Sequence, residues 1–191
     1  MKKFVLKCSL YTLRGMMSFI YFFIKLFPIK SNKVLMISRQ SNEPSIDFKV
    51  LRDEMLKNNP NTQVKMLCKK IPKKIWKRIG YCFYIIKCMY HISTSNVCIV
   101  EGYVIPVSAL KHKKRLVIVQ IWHALGAIKK FGKQVVDQKE GSSSIVANIM
   151  KMHKNYTFVT CASKATREFY AEAFGTVSYT HLRAHETCAD L

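Results

Sequence analysis

The sequence predicts an α/β fold in which helices cover both faces of a parallel sheet of the Rossmann type. Short β-branched runs alternate with segments of helical spacing from residue 33 to residue 174. Repeated strand–helix units build parallel sheets, because each helix returns the chain to the same end of the sheet. The chain has 191 residues, 49% of them hydrophobic, which is enough to bury a sizeable core and argues against disorder.

Residues 1–30 are predicted to form an amphipathic helix that lies in a membrane interface. The apolar run at residues 16–24 is shorter than the roughly 20 residues that a spanning helix needs. Lys7 and Arg14 interrupt the apolar character, and no small-residue cleavage site follows, which argues against a signal peptide. Aromatic side chains can enter the acyl boundary while basic ones face lipid phosphates. Two alternatives stay open, namely a helix packed on the domain core and a single-pass anchor.

The predicted elements of a Rossmann-like domain at residues 31–176 follow in order. Strands are predicted at residues 33–37, 63–68, 97–100, 116–120 and 156–161. Helices are predicted at residues 47–57, 73–91, 144–152 and 164–174. The strand at 116–120 is β-branched and nearly all apolar, as expected for a strand buried on both faces.

A histidine follows the strand at residues 116–120. Because ligands in open α/β sheets bind beyond the carboxyl ends of the strands, His123 is the candidate catalytic residue. Gly126 allows a close backbone approach, and a helix that begins there would point its N–H groups toward a phosphate. Lys129 and Lys130 can hold phosphates as point charges, or they can belong to a solvated helix face.

Two weaker candidates follow other predicted strands. Glu101 can orient His123 or an acceptor hydroxyl, whereas Ser163 either borders the site or simply caps a helix. No metal site is predicted, because the seven cysteines are scattered through apolar segments without a CxxC pair. They are interpreted as core residues in a reducing compartment.

The charge of the chain favours an anionic partner, with general solubility as the alternative. Lys and Arg number 32 against 11 Asp and Glu, for a formal net charge of +21. Nucleic acid is the weaker interpretation, because the sequence has no basic recognition helix, zinc-finger spacing or aromatic RNA-binding signature. An anionic membrane surface or a polyphosphate-like substrate remains.

The motif of Gln120-Ile121-Trp122-His123 followed by Lys129-Lys130-Phe131-Gly132 resembles the CDP-glycerol glycerophosphotransferases, the family of teichoic acid primases and polymerases. The resemblance covers residues 34–175 and departs at 124–127 from the commoner Trp-His-Gly-Thr-Pro-Leu-Lys form. It implies a GT-B-like transferase of two Rossmann-like domains. This chain would supply only the amino-terminal half and would be inactive alone.

The resemblance also implies a reaction, with His123 as its base. Glycerol phosphate or ribitol phosphate would pass from CDP-glycerol or CDP-ribitol, the donor substrate, to a lipid-linked polyol-phosphate acceptor, with no cofactor. The enzyme would act as a peripheral protein at the cytoplasmic face of the cell membrane. A GT-B glycosyltransferase that uses a nucleotide sugar, and a non-catalytic basic protein that binds membrane or polyanions, are the alternatives.

Residues 177–191 do not continue the strand–helix pattern. Their first eleven residues resemble the translation, in one reading frame, of a transposase adapter used to prepare DNA sequencing libraries. We therefore interpret this stretch as foreign to the natural protein.

Overall fold

A computed structural model describes residues 2–72, 74–123, 129–139, 141–161, 163–175 and 182–184. Its parallel strands form one sheet in the order β2-β1-β3-β4-β5-β6. The strands are β1 (Lys30–Ser38), β2 (Gln63–Cys68), β3 (Ser95–Val100), β4 (Val117–Gln120), β5 (Phe158–Cys161) and β6 (Leu182–Ala184). The helices are α1 (Lys2–Ile24), α2 (Ile46–Asn58), α3 (Ile75–Thr94), α4 (Ile105–Ala109), α5 (Ser144–Ile149) and α6 (Arg167–Phe174).

The predicted α/β class with a parallel sheet is confirmed, and most predicted elements agree with the structure to within a few residues. The helix predicted at 144–152 is wrong at its end. Met150 caps it, and Lys151 then takes a left-handed φ of 51°, which a helix cannot continue. The helix predicted at 164–174 begins as a 3-10 turn, and the short helix α4 was not predicted.

The sheet is buried on both faces because alternate residues of its central strands point to opposite sides. In β1, Leu35 and Ile37 face a core layer that α1, α3 and α6 supply. Between them, Met36 faces Phe48 of α2 on the other side. The near-continuous apolar runs of the sequence therefore correspond to strands with helices on both faces.

Helix α1 packs on the domain with one side and leaves the other exposed. Met17 and Tyr21 are buried in the core layer, and the Tyr21 hydroxyl lies 2.8 Å from His112 Nδ1. Phe19 and Phe22, in contrast, are 67% and 59% exposed. Within the described ranges, none of the helices combines the length and the hydropathy needed to cross a bilayer.

The described residues include one short strand, β6, within 177–191. Residues 182–184 pair in parallel with β5 at the edge of the sheet. The interpretation of this stretch as adapter-derived stays a prediction.

Candidate active site

The strand order creates a crevice between β1 and β3. β2 lies on one side of β1 and β3 lies on the other, so the connections that leave β1 and β3 run in opposite directions along the sheet. Ligands of open α/β sheets bind at such points, outside the carboxyl ends of the strands. Arg39 and Gln40 follow β1, Glu101 follows β3, and His123 reaches the crevice from the end of the next strand, β4.

The hydrogen bonds of His123 determine which of its ring nitrogens can act as a base. Its Nδ1 lies 2.9 Å from the backbone oxygen of Glu101. A carbonyl oxygen can only accept a hydrogen bond, so Nδ1 carries the proton and Nε2 of the neutral ring keeps its lone pair. The ring is exposed, and the Gln40 amide nitrogen lies 3.4 Å from the same Nδ1. An NH2 group cannot accept a hydrogen bond from Nδ1, so the shorter contact with the Glu101 carbonyl decides the tautomer.

Glu101 contacts His123 through its backbone, while its carboxylate points elsewhere. The carboxylate is 2% exposed and accepts a hydrogen bond from the Ser45 hydroxyl. Ser45 is also the N-cap of α2, where it accepts a hydrogen bond from the Phe48 N–H. A negative charge is favoured near the N-terminus of a helix. The geometry thus gives the Glu101 carbonyl the orienting contact, and it gives the carboxylate a place at the start of α2.

Trp122 anchors the loop that carries His123. Its ring stacks on Phe131, with centroids 4.7 Å apart and planes at 28°, and its centroid is 4.2 Å from that of His123. Its φ of 58° is rare for a large side chain and requires support from the surroundings. Gly132, which follows Phe131, has a φ of 59°, and a Cβ there would overlap the Ala173 carbonyl. The apolar members of the sequence motif therefore join its two halves.

Gln120, whose role the sequence did not reveal, binds the backbone at Gly102 and at Trp122. Its side chain is fully buried, and its amide donates to the Gly102 carbonyl at 3.0 Å. Its side-chain oxygen accepts from the Trp122 N–H, also at 3.0 Å. A polar side chain at the end of an otherwise apolar strand was the available signal, because buried amides need partners.

Basic side chains line a cleft of about 270 Å³ beside His123. Lys129 and Lys130 border this cleft together with Arg39, Gln40 and Trp122. No acidic residue is among the described residues that line it. The structure therefore brings the two predicted lysines to the same cleft as the anchor of His123, and it adds an arginine.

Arg39 is the second residue that sequence reasoning missed. Its guanidinium lies over the Tyr103 ring, 5.3 Å from the centroid. Burial lowers the pKa of Arg39, although a guanidinium remains charged near neutral pH. Within the described part of the chain, no carboxylate forms an ion pair with it. A half-buried cation without a counter-ion, facing a cleft, is suited to binding an anionic ligand.

The remaining predicted positions lie apart from this cleft or outside the description. Ser163 caps the 3-10 turn after β5, accepting a hydrogen bond from the Thr166 N–H at 3.3 Å, and it does not line the cleft. Gly126 lies outside the described residues. No group of three or more potential metal-ligating His, Cys, Asp or Glu side chains occurs in the ranges described above.

Comparison with known proteins identifies the family. The profile of the CDP-Glycerol:Poly(glycerophosphate) glycerophosphotransferases matches residues 19–184. The chain belongs to this family. It is 32% identical over 149 residues to the teichoic acid ribitol-phosphate primase of Bacillus spizizenii, covering 78% of this chain and 38% of the relative. It is 25% identical over 183 residues to the teichoic acid glycerol-phosphate primase of Bacillus subtilis, covering 88% and 44%.

Solved structures share the fold at low sequence identity. The wall teichoic acid polymerase TagF superposes with a TM-score of 0.60 at 14% identity, covering 95% of this chain and 46% of that chain. A TagF variant soaked with CDPG superposes with a TM-score of 0.58 at 13% identity, covering 95% and 44%. The chain thus spans less than half the length of these relatives. The GT-B-like fold class predicted from the sequence is confirmed for this portion.

Proposed function

We propose that the protein to which this chain belongs transfers glycerol phosphate or ribitol phosphate from a CDP-alcohol to the hydroxyl end of a polyol-phosphate chain. The acceptor hydroxyl loses its proton to His123 Nε2 while its oxygen attacks the β-phosphorus of the donor. The bond from that phosphorus to the oxygen of CMP breaks, and CMP leaves. The donor is a substrate, and the reaction as proposed needs no cofactor.

One observation carries the assignment of His123 as the base. The bond from Nδ1 to the Glu101 carbonyl fixes the tautomer, so that the unprotonated Nε2 is available in the crevice where ligands of this fold bind. Family membership favours this phosphotransfer over nucleotide-sugar chemistry, because the relatives are named as teichoic acid primases and polymerases. Arg39, Lys129 and Lys130 would bind the phosphate groups of the substrates.

The test is the transfer rate of His123→Ala in the full-length protein, measured as CMP release in a single turnover. General-base assistance contributes about 10²–10⁴ in rate, and we expect a loss of that size. Because the side chain is exposed, the thermal midpoint should not change. The matched control is Gln63→Ala, which removes an exposed polar side chain from the edge strand β2 and should leave transfer unchanged. Transfer by His123→Ala at the parent rate would contradict the assignment.

We also propose that α1 holds the protein at the cytoplasmic face of the membrane, where it would meet a lipid-linked acceptor. Exposed aromatic side chains of α1 and α3 support this, since Phe22 is 59% and Phe83 70% exposed. The segment that follows α1 contacts α3 through an edge-to-face pair of Phe27 and Tyr90, with centroids 5.4 Å apart. Aromatic side chains beside lysines are suited to an anionic interface.

Vesicle sedimentation tests this surface. We expect Phe22→Asp to reduce binding to phosphatidylglycerol vesicles several-fold, because a carboxylate cannot enter the acyl boundary. Ile46→Asp on α2 is the matched control, since Ile46 is 78% exposed on the other face of the sheet. Equal losses in both variants would show that added negative charge, and not insertion of α1, explains the effect.

A further inference from the structure

We propose that a second pocket, lined by Lys133, Lys151 and Lys154, binds a phosphodiester group of the acceptor chain behind the end that reacts. This inference rests on the proposed function, because it assigns to that reaction an acceptor that already carries several phosphodiesters. The inference goes beyond the proposed function because it assigns a ligand to the lysines of a separate pocket.

The pocket has a volume of about 300 Å³ and lies between two segments of the chain. One segment is the turn that follows the Lys-Lys-Phe-Gly motif and supplies Lys133. The other runs from α5 into the following loop and supplies Lys151 and Lys154. Asn148 and Asn155 complete the polar part of the lining. Three lysines thus line one concave surface, whose volume accommodates a phosphate group.

None of these lysines forms an ion pair with a carboxylate in the described part of the chain. Burial, followed by the nearby charge of Lys154, lowers the pKa of Lys133. The Lys133 ammonium also lies beside Gly175, the cap at the carboxyl end of α6, where a cation is favoured. An anion placed between the lysines would relieve their mutual repulsion.

The loop that carries two of the lysines is held firmly in place. The Asn155 side-chain amide donates to the carbonyls of Val107, Ser108 and Leu110, at 2.8 to 3.1 Å. Asn155 has a φ of 72°, a conformation that asparagine tolerates better than most residues. Because this contact ties the loop to the end of α4, the two lysines are presented without a large cost of ordering the backbone.

The pocket adjoins the cleft beside His123. Met152 lines both, and residues that are adjacent in the sequence line one or the other. Gly132 and His153 line the cleft, whereas the next residues, Lys133 and Lys154, line the pocket. A ligand with repeating phosphates can therefore place one phosphate in the cleft and another in the pocket. A single phosphate can occupy only one of them.

The experiment measures binding of oligo(glycerol phosphate) probes, with one or with five phosphodiesters, to the full-length protein. The variant is Lys133→Met, Lys151→Met and Lys154→Met combined. An exposed charge pair contributes about 0.5 kcal/mol, or about 2.3-fold in affinity, so we expect the three together to give about a tenfold loss for the long probe. The short probe should lose less than twofold. A double variant that keeps the half-buried Lys133 guards against misfolding and should lose about fivefold.

The matched control replaces Lys49, Lys57 and Lys65 with Met, which removes the same charge from α2 and the far edge strand. Equal losses in both triple variants, or equal losses for both probes, would overturn the proposal. Loss of binding to phosphatidylglycerol vesicles, with oligomer binding unchanged, would overturn it in favour of a lipid headgroup. Measuring binding and transfer separately in the parent protein distinguishes this proposal from the proposed reaction. If the parent protein binds the long probe through these lysines but transfers nothing, the proposed reaction fails and the pocket stands.

Discussion

Replacing Gln120 with Met should disturb both the stability and the activity of this protein. The two side chains have similar volumes, so the substitution leaves little cavity. It removes the amide that accepts from the Trp122 N–H and donates to the Gly102 carbonyl. Since Gln120 is fully buried, water cannot easily replace these bonds. The same two bonds hold the loop that carries His123.

The magnitude follows from the groups left without partners. A buried polar group without a hydrogen bond costs about 1–3 kcal/mol. The Gly102 carbonyl is buried and the Trp122 N–H is half-buried, so we expect the free energy of unfolding to fall by about 2–4 kcal/mol. A displacement of the base of about 1 Å can lower the rate by about 100-fold. We therefore expect kcat to fall by about 10- to 100-fold.

Urea unfolding and single-turnover CMP release provide the two measurements. Gln134→Met is the matched control, because Gln134 also forms two side-chain hydrogen bonds, to the Phe131 N–H and to Glu172, but at a half-buried position. That control should lose only about 1 kcal/mol and leave kcat unchanged. If Gln120→Met costs no more than Gln134→Met, the reasoning about buried partners is refuted.

Three further predictions follow from the same structure. Burial, and then Lys133, lowers the pKa of His153 to about 3, so its contribution to stability is complete above pH 6.5 and is lost as the pH falls. His153→Phe should therefore reduce the acid dependence of the unfolding free energy by about 1.4 kcal/mol per pH unit between pH 6 and 4. Arg39→Met should raise the KM for the acceptor about tenfold, because the substitution removes the guanidinium that would bind an acceptor phosphate in the cleft. A long DNA read of the locus should show other codons than the adapter-like ones after the codon for Thr176, and we expect them to encode a second α/β domain.

Each of these predictions has its own contrary result. An unchanged acid slope in His153→Phe would mean that other groups cause it, and His91 is one candidate, since burial and then Lys33 lower its pKa to about 4. An effect of Arg39→Met on kcat alone would point to the transition state and not to acceptor binding. A locus that encodes residues 177–191 as printed would refute the adapter interpretation.

The strands and the motif were predictable because they depend on local patterns. Runs such as 116–120 are apolar over their whole length, and that pattern identifies a parallel strand wherever it packs. The position of His123 just beyond the end of such a strand was predictable, whereas its role as a base stays a prediction. The short helix α4 was not predictable, since five residues carry little periodicity. The early end of α5 was not predictable either, because nothing about a lysine indicates the positive φ that Lys151 adopts.

The α/β class, the place of His123 after a buried strand and the excess of positive charge all follow from local patterns of residues. The groups that contact His123 depend instead on how the whole chain packs. The Glu101 carbonyl, and not its carboxylate, contacts His123. Arg39, which follows β1 and precedes His123 by more than 80 residues, lines the cleft together with the neighbouring Trp122. Those contacts depend on strand order, because β4 adjoins β3, and β3 adjoins β1. Residue spacing encodes periodicity within an element, whereas the packing of the whole chain selects the neighbours of each strand.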